Sequence, residues 1–175
     1  AYWALCLQQG NTRRGTLRTL AGQPEFMDIC DAHFVPAGEV AAVEARDYNV
    51  NLTRFVYRMY NEVLGRGGEA EGLNHWCWQM AYNGMQPYQL ASNFVFSEEF
   101  VQQNHSNESF VAVLYRALLG REPEADGYAY WVDQLDTGPK TRRAVVEGFA
   151  HSRASADTAA GTGACRLRTS RGRAK

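Results

Sequence analysis

The sequence has no apolar run approaching the ~20 residues that a membrane span requires, and no basic-then-apolar leader opens it. These residues therefore carry neither a spanning helix nor a signal peptide, and a soluble chain is expected. Strand signals are almost absent, which removes any sheet-based architecture. Four cysteines, Cys6, Cys30, Cys77 and Cys165, show no CxxC and no Cys/His spacing of the kind that closes a zinc site. No GxSxG nucleophile motif occurs. The net charge is only −1, from 18 basic and 19 acidic residues. It hides an asymmetry: from Arg153 onward six basic residues (Arg153, Arg166, Arg168, Arg171, Arg173, Lys175) accompany one acid, Asp157. The body is thus acidic, which argues against a surface built to grip phosphates. The scattered cations of the tail, without interleaved aromatics, argue against nucleic acid as a partner.

What the sequence does contain is an internal repeat, the feature that decides the architecture. The stretch 109–152 is matched by 53–97, with Phe110, Tyr115, Leu119-Gly120-Arg121, Gly127, Trp131, Phe149 and Ser152 standing where Phe55, Tyr60, Leu64-Gly65-Arg66, Gly72, Trp76, Phe94 and Ser97 stand. The interval from Phe55 to Phe110 sets a period of 55 residues. A truncated copy opens the chain, where Ala1-Tyr2-Trp3 matches Ala129-Tyr130-Trp131, Leu7 matches Leu135, and Pro24-Glu25-Phe26 matches Ser97-Glu98-Glu99-Phe100. The organisation is a truncated first unit over 1–26, an acidic insertion over 27–52, a second unit over 53–104, a third over 105–152 and a basic, flexible tail over 153–175. Because the chain opens midway through a unit, it is expected to be a piece of a longer protein, with any leader upstream.

Phe55, Val56, Met59, Tyr60, Val63 and Leu64 fall at the spacing of a buried helix face, repeated position for position by Phe110, Val111, Leu114, Tyr115, Leu118 and Leu119. Asn51 and Asn107 precede these helices as expected N-caps, and Gly65 and Gly120 close them as left-handed C-terminal residues. Glu71 and Asp126 stand at the start of a second helix, where carboxylates suit the macrodipole. Leu73, Trp76 and Met80, or Tyr128, Trp131 and Leu135, lie on one face of that helix. A third helix carries Leu90, Ala91, Phe94 and Val95, or Val145, Val146, Phe149 and Ala150. The expected fold is all-α: about eight helices in tandem three-helix units, packed into one compact domain. In the insertion, rich in Asp28, Asp31, Glu39, Glu44 and Asp47, a short acidic helix over 38–46 is expected between loops.

The runs LYRALLGREPEADGYAYW and MYNEVLGRGGEAEGLNHW, with the phrase Phe94-Val95-Phe96-Ser97-Glu98-Glu99-Phe100, resemble the bacterial repeat family known as domain of unknown function 4214. The resemblance spans about 53–152, with 1–26 as a partial copy. It implies a small all-helical repeat found in exported, multidomain bacterial surface proteins, similar to the helical linker domains of cyanobacterial light-harvesting assemblies, and it implies no catalytic residues. Gly67-Gly68, the insertion and the tail depart from the family pattern.

Several residues invite a functional reading, and each has a plainer one beside it. Trp3, Trp76 and Trp131 share one position and read as core pegs. Trp78 does not, because its equivalents are Leu5 and Asp133; with Tyr82 one turn later it makes an exposed aromatic pair, suited to stacking on sugars or anchoring a protein, or else to packing between units. Arg66 and Arg121 follow the helix-ending glycines as anion hooks, or as partners of helix carbonyls and of Glu71 and Asp126. Glu122, Glu124, Asp126 and Asp133 imitate part of a calcium loop, with Gly127 at its turn; but Glu replaces Asp, Pro123 stiffens the loop and Asp133 is too short to be bidentate, so helix capping is preferred and no cofactor is expected. Cysteine bonds Cys6–Cys30 and Cys77–Cys165 are favoured among three connectivities and would suit an exported protein, while four buried thiols would suit a cytosolic one. Asp31 and His33, with His75 and His105, could be read as a hydrolytic or metal set, though nothing fixes their spacing and surface positions are the plainer reading. The expected function is a non-catalytic, secreted or cell-surface binding module. It would meet a glycan or a host or cell-surface protein through Trp78, Tyr82 and the insertion bearing Asp31 and His33. A structural spacer, or an enzyme working from the insertion, are the alternatives.

Overall fold

A computed structural model describes residues 2–149 and contains ten helices and, among the described residues, no strand. The first unit forms α1 (Tyr2–Gln8), α2 (Arg13–Ala21) and α3 (Pro24–Ala32). The second forms α4 (Val50–Leu64), α5 (Ala70–Ala81), α6 (Pro87–Val95) and a short α7 (Glu98–Gln102). The third forms α8 (Asn107–Leu114), which runs into a π turn at Tyr115–Leu119, then α9 (Ala125–Asp136) and α10 (142–149). The excess over the expected eight comes from the Pro-Glu-Phe and Ser-Glu-Glu-Phe phrases, which are helices in their own right. Ser97 accepts the Phe100 amide and so starts α7 as an N-cap. The tail over 153–175 lies outside the described residues.

The repeated stripe forms the core. Val56, Met59, Tyr60 and Val63 of α4, and Val111, Leu114, Tyr115 and Leu118 of α8 and its π turn, are all buried in one continuous cluster. Around each tyrosine the duplication extends to side-chain geometry. Tyr60 meets Phe94 edge-on at 4.8 Å, and Trp76 tilts onto the same Phe94 at 5.5 Å. In the third unit Tyr115 meets Phe149 edge-on at 5.0 Å and Trp131 tilts onto it at 5.1 Å. All three units keep an edge-to-face pair one residue before the tryptophan: Tyr2–Trp3 at 4.9 Å, His75–Trp76 at 5.0 Å and Tyr130–Trp131 at 5.1 Å. The first helix of the chain thus repeats the ring pair that stands beside the tryptophan in the other two units. Units two and three are cross-linked through their first helices. Arg58 donates to the carbonyls of Ala117 and Leu118, and Arg116 pairs with Glu62 at 3.2 Å.

Local signals were displaced by one or two residues at the helix starts. Asn49, not Asn51, caps α4, its side chain accepting from the Asn51 and Leu52 amides; Ser106, not Asn107, caps α8 by accepting from Ser109. Gly65 and Gly120 close their helices at φ +67° as expected, and Glu71 and Asp126 lie in the first turns of α5 and α9. The acidic helix expected over 38–46 is not formed. Residues 35–42 are irregular, and only a 3-10 turn at Ala45–Asp47 follows, because Asp47 turns inward to bind backbone instead of facing water. The expected Cys6–Cys30 bond is also absent: both are buried free thiols, on helices that each pack on α2. Cys77 is likewise a buried free thiol, and its expected partner Cys165 lies outside the described residues.

Candidate functional site

Helix α5 has two faces. Leu73 and Cys77 are buried, with Trp76 and Met80 packed beside them against the core. On the other side Trp78 is 49% exposed and Tyr82, the C-cap residue, 56% exposed. The Tyr82 amide donates to the Trp78 carbonyl at 2.9 Å, so the two side chains are held one turn apart. A third ring joins them: Tyr48, at the end of the insertion, meets Tyr82 edge-on with centroids 5.6 Å apart. The sequence comparison between copies did not single out Tyr48, because the insertion has no counterpart elsewhere in the chain.

Tyr48 is positioned by the residues just before it. Asp47 is buried, and its carboxylate accepts from the Thr12 hydroxyl and from the Val43 and Glu44 amides at 2.9 and 3.2 Å. Burial opposes its ionisation, but the hydrogen bonds from Thr12, Val43 and Glu44, with Arg14 nearby, prevail and hold it below the ordinary carboxyl value. Thr12 in turn accepts the Gly15 amide at 2.8 Å as the N-cap of α2. Next to it Arg46 pairs with Glu44 at 3.0 Å and donates to the Gly10 carbonyl, while its amide donates to Asn74 of α5. Thr53 of α4 donates to the Arg46 carbonyl at 3.1 Å. A Cβ on Gly15 would come within 2.9 Å of the Asp47 Cα, so α2 approaches this turn through a residue that has no side chain. The turn thus ties α2, α4 and α5 together and leaves Tyr48 against Tyr82.

The other singled-out residues are elsewhere. Asp31 and His33 sit exposed at the C-terminal end of α3, and neither side chain makes a hydrogen bond or ion pair among the described residues. Beside them Phe34 adopts φ +55° and is almost wholly exposed. The acids of the calcium-loop reading do not converge. Glu124 pairs with Arg121, Glu122 with Arg116 at 3.7 Å, and Asp133 lies well inside α9, taking a hydrogen bond from Thr137. Among the described residues no three His, Cys, Asp or Glu side chains are grouped to hold a metal ion. Arg66 and Arg121 are already paired, though not with the acids expected. Arg66 makes a bidentate contact to Glu99 at 2.7 and 3.0 Å while lying over the Tyr60 ring at 5.3 Å. Arg121 pairs with Glu124 over the Tyr115 ring at 5.2 Å. His105 stacks on Phe100 at 4.6 Å, and His75 stands beside Trp76, so the four polar residues form no set. The Cys77 thiol, beside Thr53, is pushed up to about 11 by burial and stays protonated at neutral pH. No helix among the described residues is long and apolar enough to cross a membrane.

The sequence model of the family described as Domain of unknown function (DUF4214) matches the chain twice, over residues 40–103 and 91–158. No curated protein and no solved structure gives a significant match.

Proposed function

The chain belongs to the Domain of unknown function (DUF4214) family, and on that premise we propose that it is a non-catalytic binding module of a secreted or cell-surface protein, presenting a rigid helical surface to a glycan or a protein. The observation that carries this reading is the aromatic pair Trp78 and Tyr82, half in solvent, with the part-buried Tyr48 ring edge-on to Tyr82, on a face whose neighbours are fixed by hydrogen bonds to the buried Asp47. Rigid, partly exposed aromatics offer large contact area at little ordering cost, which is what sugar stacking and protein hot spots use. Asp31 and His33, at the far end of the same insertion, would act at most as peripheral contacts.

The repeated Tyr–Phe–Trp packing supports a second reading, a structural spacer, since it would hold successive units in a fixed relation whether or not anything binds. The two are separated by probing the protein on a glycan array and against mucus-derived proteins beside a Trp78→Ala/Tyr82→Ala variant. Binding that the variant weakens by at least about tenfold supports recognition through this face. Binding that the variant retains sinks this site, and silence from both proteins favours the spacer.

A further inference from the structure

The turn that joins α5 to α6 contains the one Asn-Gly pair of the chain, Asn83-Gly84, directly after Tyr82. Both residues are exposed. Gly84 sits at φ +70°, and a Cβ built on it would meet nothing within 4 Å. Its amide donates to no acceptor among the described residues, although Tyr82 before it and Met85 after it are held by the Trp78 and Gln79 carbonyls at 2.9 and 3.0 Å. The Asn83 carboxamide donates from Nδ2 to Gln79 Oε1 at 2.8 Å, and its Oδ1 accepts from no group among the described residues. These are the conditions under which a backbone nitrogen attacks the preceding side-chain amide: the nitrogen is not committed as a donor, no Cβ stands beside it, and nothing packs on the glycine to stop the turn from rotating. The other asparagines lack them. Asn51, Asn61, Asn74, Asn93 and Asn107 lie in helices, and none of the rest precedes a glycine. The Asp126-Gly127 pair lies in the first turn of α9, where a Cβ on Gly127 would come 2.4 Å from the Tyr115 hydroxyl.

We propose that Asn83 is a site of spontaneous, backbone-assisted deamidation, which gives the aromatic face a second, acidic form. The Gly84 nitrogen bonds to Asn83 Cγ, the Cγ–Nδ2 bond breaks, and Nδ2 leaves as ammonia with the proton that the Gly84 amide gives up, so a succinimide ring remains. Water then adds its hydroxyl to one of the two ring carbonyl carbons and returns a proton to the Gly84 nitrogen or to the new side-chain carboxyl's partner amide as that C–N bond opens. Nothing is oxidised or reduced, and water is the only co-reactant. Opening on one side gives aspartate at this position, and opening on the other gives isoaspartate; both are ionised at neutral pH. The aspartate sets a carboxylate one residue from the Tyr82 ring. The isoaspartate also lengthens the backbone inside the turn that the Met85 amide closes on the Gln79 carbonyl. The chemistry stands independently of the binding reading above, and only its bearing on recognition rests on that reading.

The test is to incubate the full chain in mildly alkaline buffer, beside the same chain held unfolded in guanidinium chloride, and to follow both by peptide mass spectrometry that locates each new acid. In the folded chain Asn83 should convert at a rate within about tenfold of the unfolded one, as befits an exposed turn whose opening costs little. The helical asparagines should convert only in the unfolded chain. Aspartyl and isoaspartyl products should both appear, and the rate should rise with pH as the Gly84 nitrogen gives up its proton more readily. Gly84→Ala should slow conversion of the folded chain at least about tenfold, because a Cβ then stands beside the attacking nitrogen and restricts the turn. Should that variant lose its helical circular dichroism, Asn83→Gln, whose longer side chain must close a larger ring, takes its place and should gain no acid at that position. A folded chain that keeps the Asn83 amide while the unfolded one loses it would show that the turn protects the residue and would overturn the proposal. So would conversion spread evenly over the asparagines of the folded chain, or a rate that Gly84→Ala leaves unchanged.

Discussion

Replacing Asp47 by Asn tests whether the insertion is held by a buried carboxylate or merely runs past one. The change keeps shape and leaves one oxygen for the Val43 and Glu44 amides, while the new amide nitrogen faces the Thr12 hydroxyl, which is already engaged by Gly15. Three charge-assisted hydrogen bonds become neutral or poorly directed ones. At roughly 1 kcal/mol lost for each, and less than full additivity, about 2–3 kcal/mol of stability should go. In a chain of this size that is a fall in Tm of about 5–10 °C. Urea unfolding followed by circular dichroism at several pH values measures it. Asp47 titrates below its ordinary value of 3.8, so its contribution is complete above that pH and is lost as the pH falls through the lower folded value. The gap between the two proteins should therefore be constant from pH 7 to about pH 5 and shrink below about pH 4. A gap under about 1 kcal/mol at pH 7, or one that persists undiminished at pH 3, refutes the reasoning.

Gly72→Ala would place a Cβ 2.4 Å from the Tyr60 hydroxyl, inside a ring cluster with little room to move, and should cost about 1–3 kcal/mol despite alanine's better helix propensity. Tyr60→Phe removes the clashing atom, so the double variant should lose less than the two single losses added; a stabilised Gly72→Ala, or strict additivity, contradicts the packing described. Cys77, buried and with its thiol pushed up to about 11, should resist iodoacetamide at pH 8 in the native protein and react once urea unfolds it, as read by peptide mass spectrometry. Alkylation of the native protein at a free-thiol rate would show that this face of α5 opens readily.

The helices and their inner faces were legible because their information is local and doubled. A 3.6-residue stripe in α4 recurs in α8, and the alignment of the copies separates Trp3, Trp76 and Trp131 from Trp78 in sequence alone. The same comparison points to the half-exposed state of Trp78 that the structure displays. Illegible features depend on distant partners. Asp47 sits among acids that pattern like a solvated helix, and its burial depends in part on Thr12, far away in sequence, which donates to it beside the local Val43 and Glu44 amides. Arg66 turned to Glu99, 33 residues on, rather than to the nearby Glu71. A Cys6–Cys30 bond would have stapled the insertion to the first unit, whereas the two cysteines are buried free thiols on α1 and α3, which each pack on α2.

The insertion also shows why a long connection can present a site. Between the end of α3 at Ala32 and the start of α4 at Val50 the chain takes 17 residues, where α7 reaches α8 in 4. Loop closure grows by only about 0.6 kcal/mol per doubling, so this roughly fourfold excess costs roughly 1 kcal/mol. The Asp47 hydrogen bonds, at about 2–3 kcal/mol, more than offset it, and they act at the C-terminal end of the segment alone. The segment is accordingly divided: its early part leaves Phe34 and Val35 in solvent, whereas its last turn is fixed on α2, α4 and α5. Tyr48 follows that fixed turn directly. Its edge contact with Tyr82 is therefore inherited from the Asp47 anchor, and a variant that releases Asp47 should loosen the aromatic face before it unfolds the repeat core.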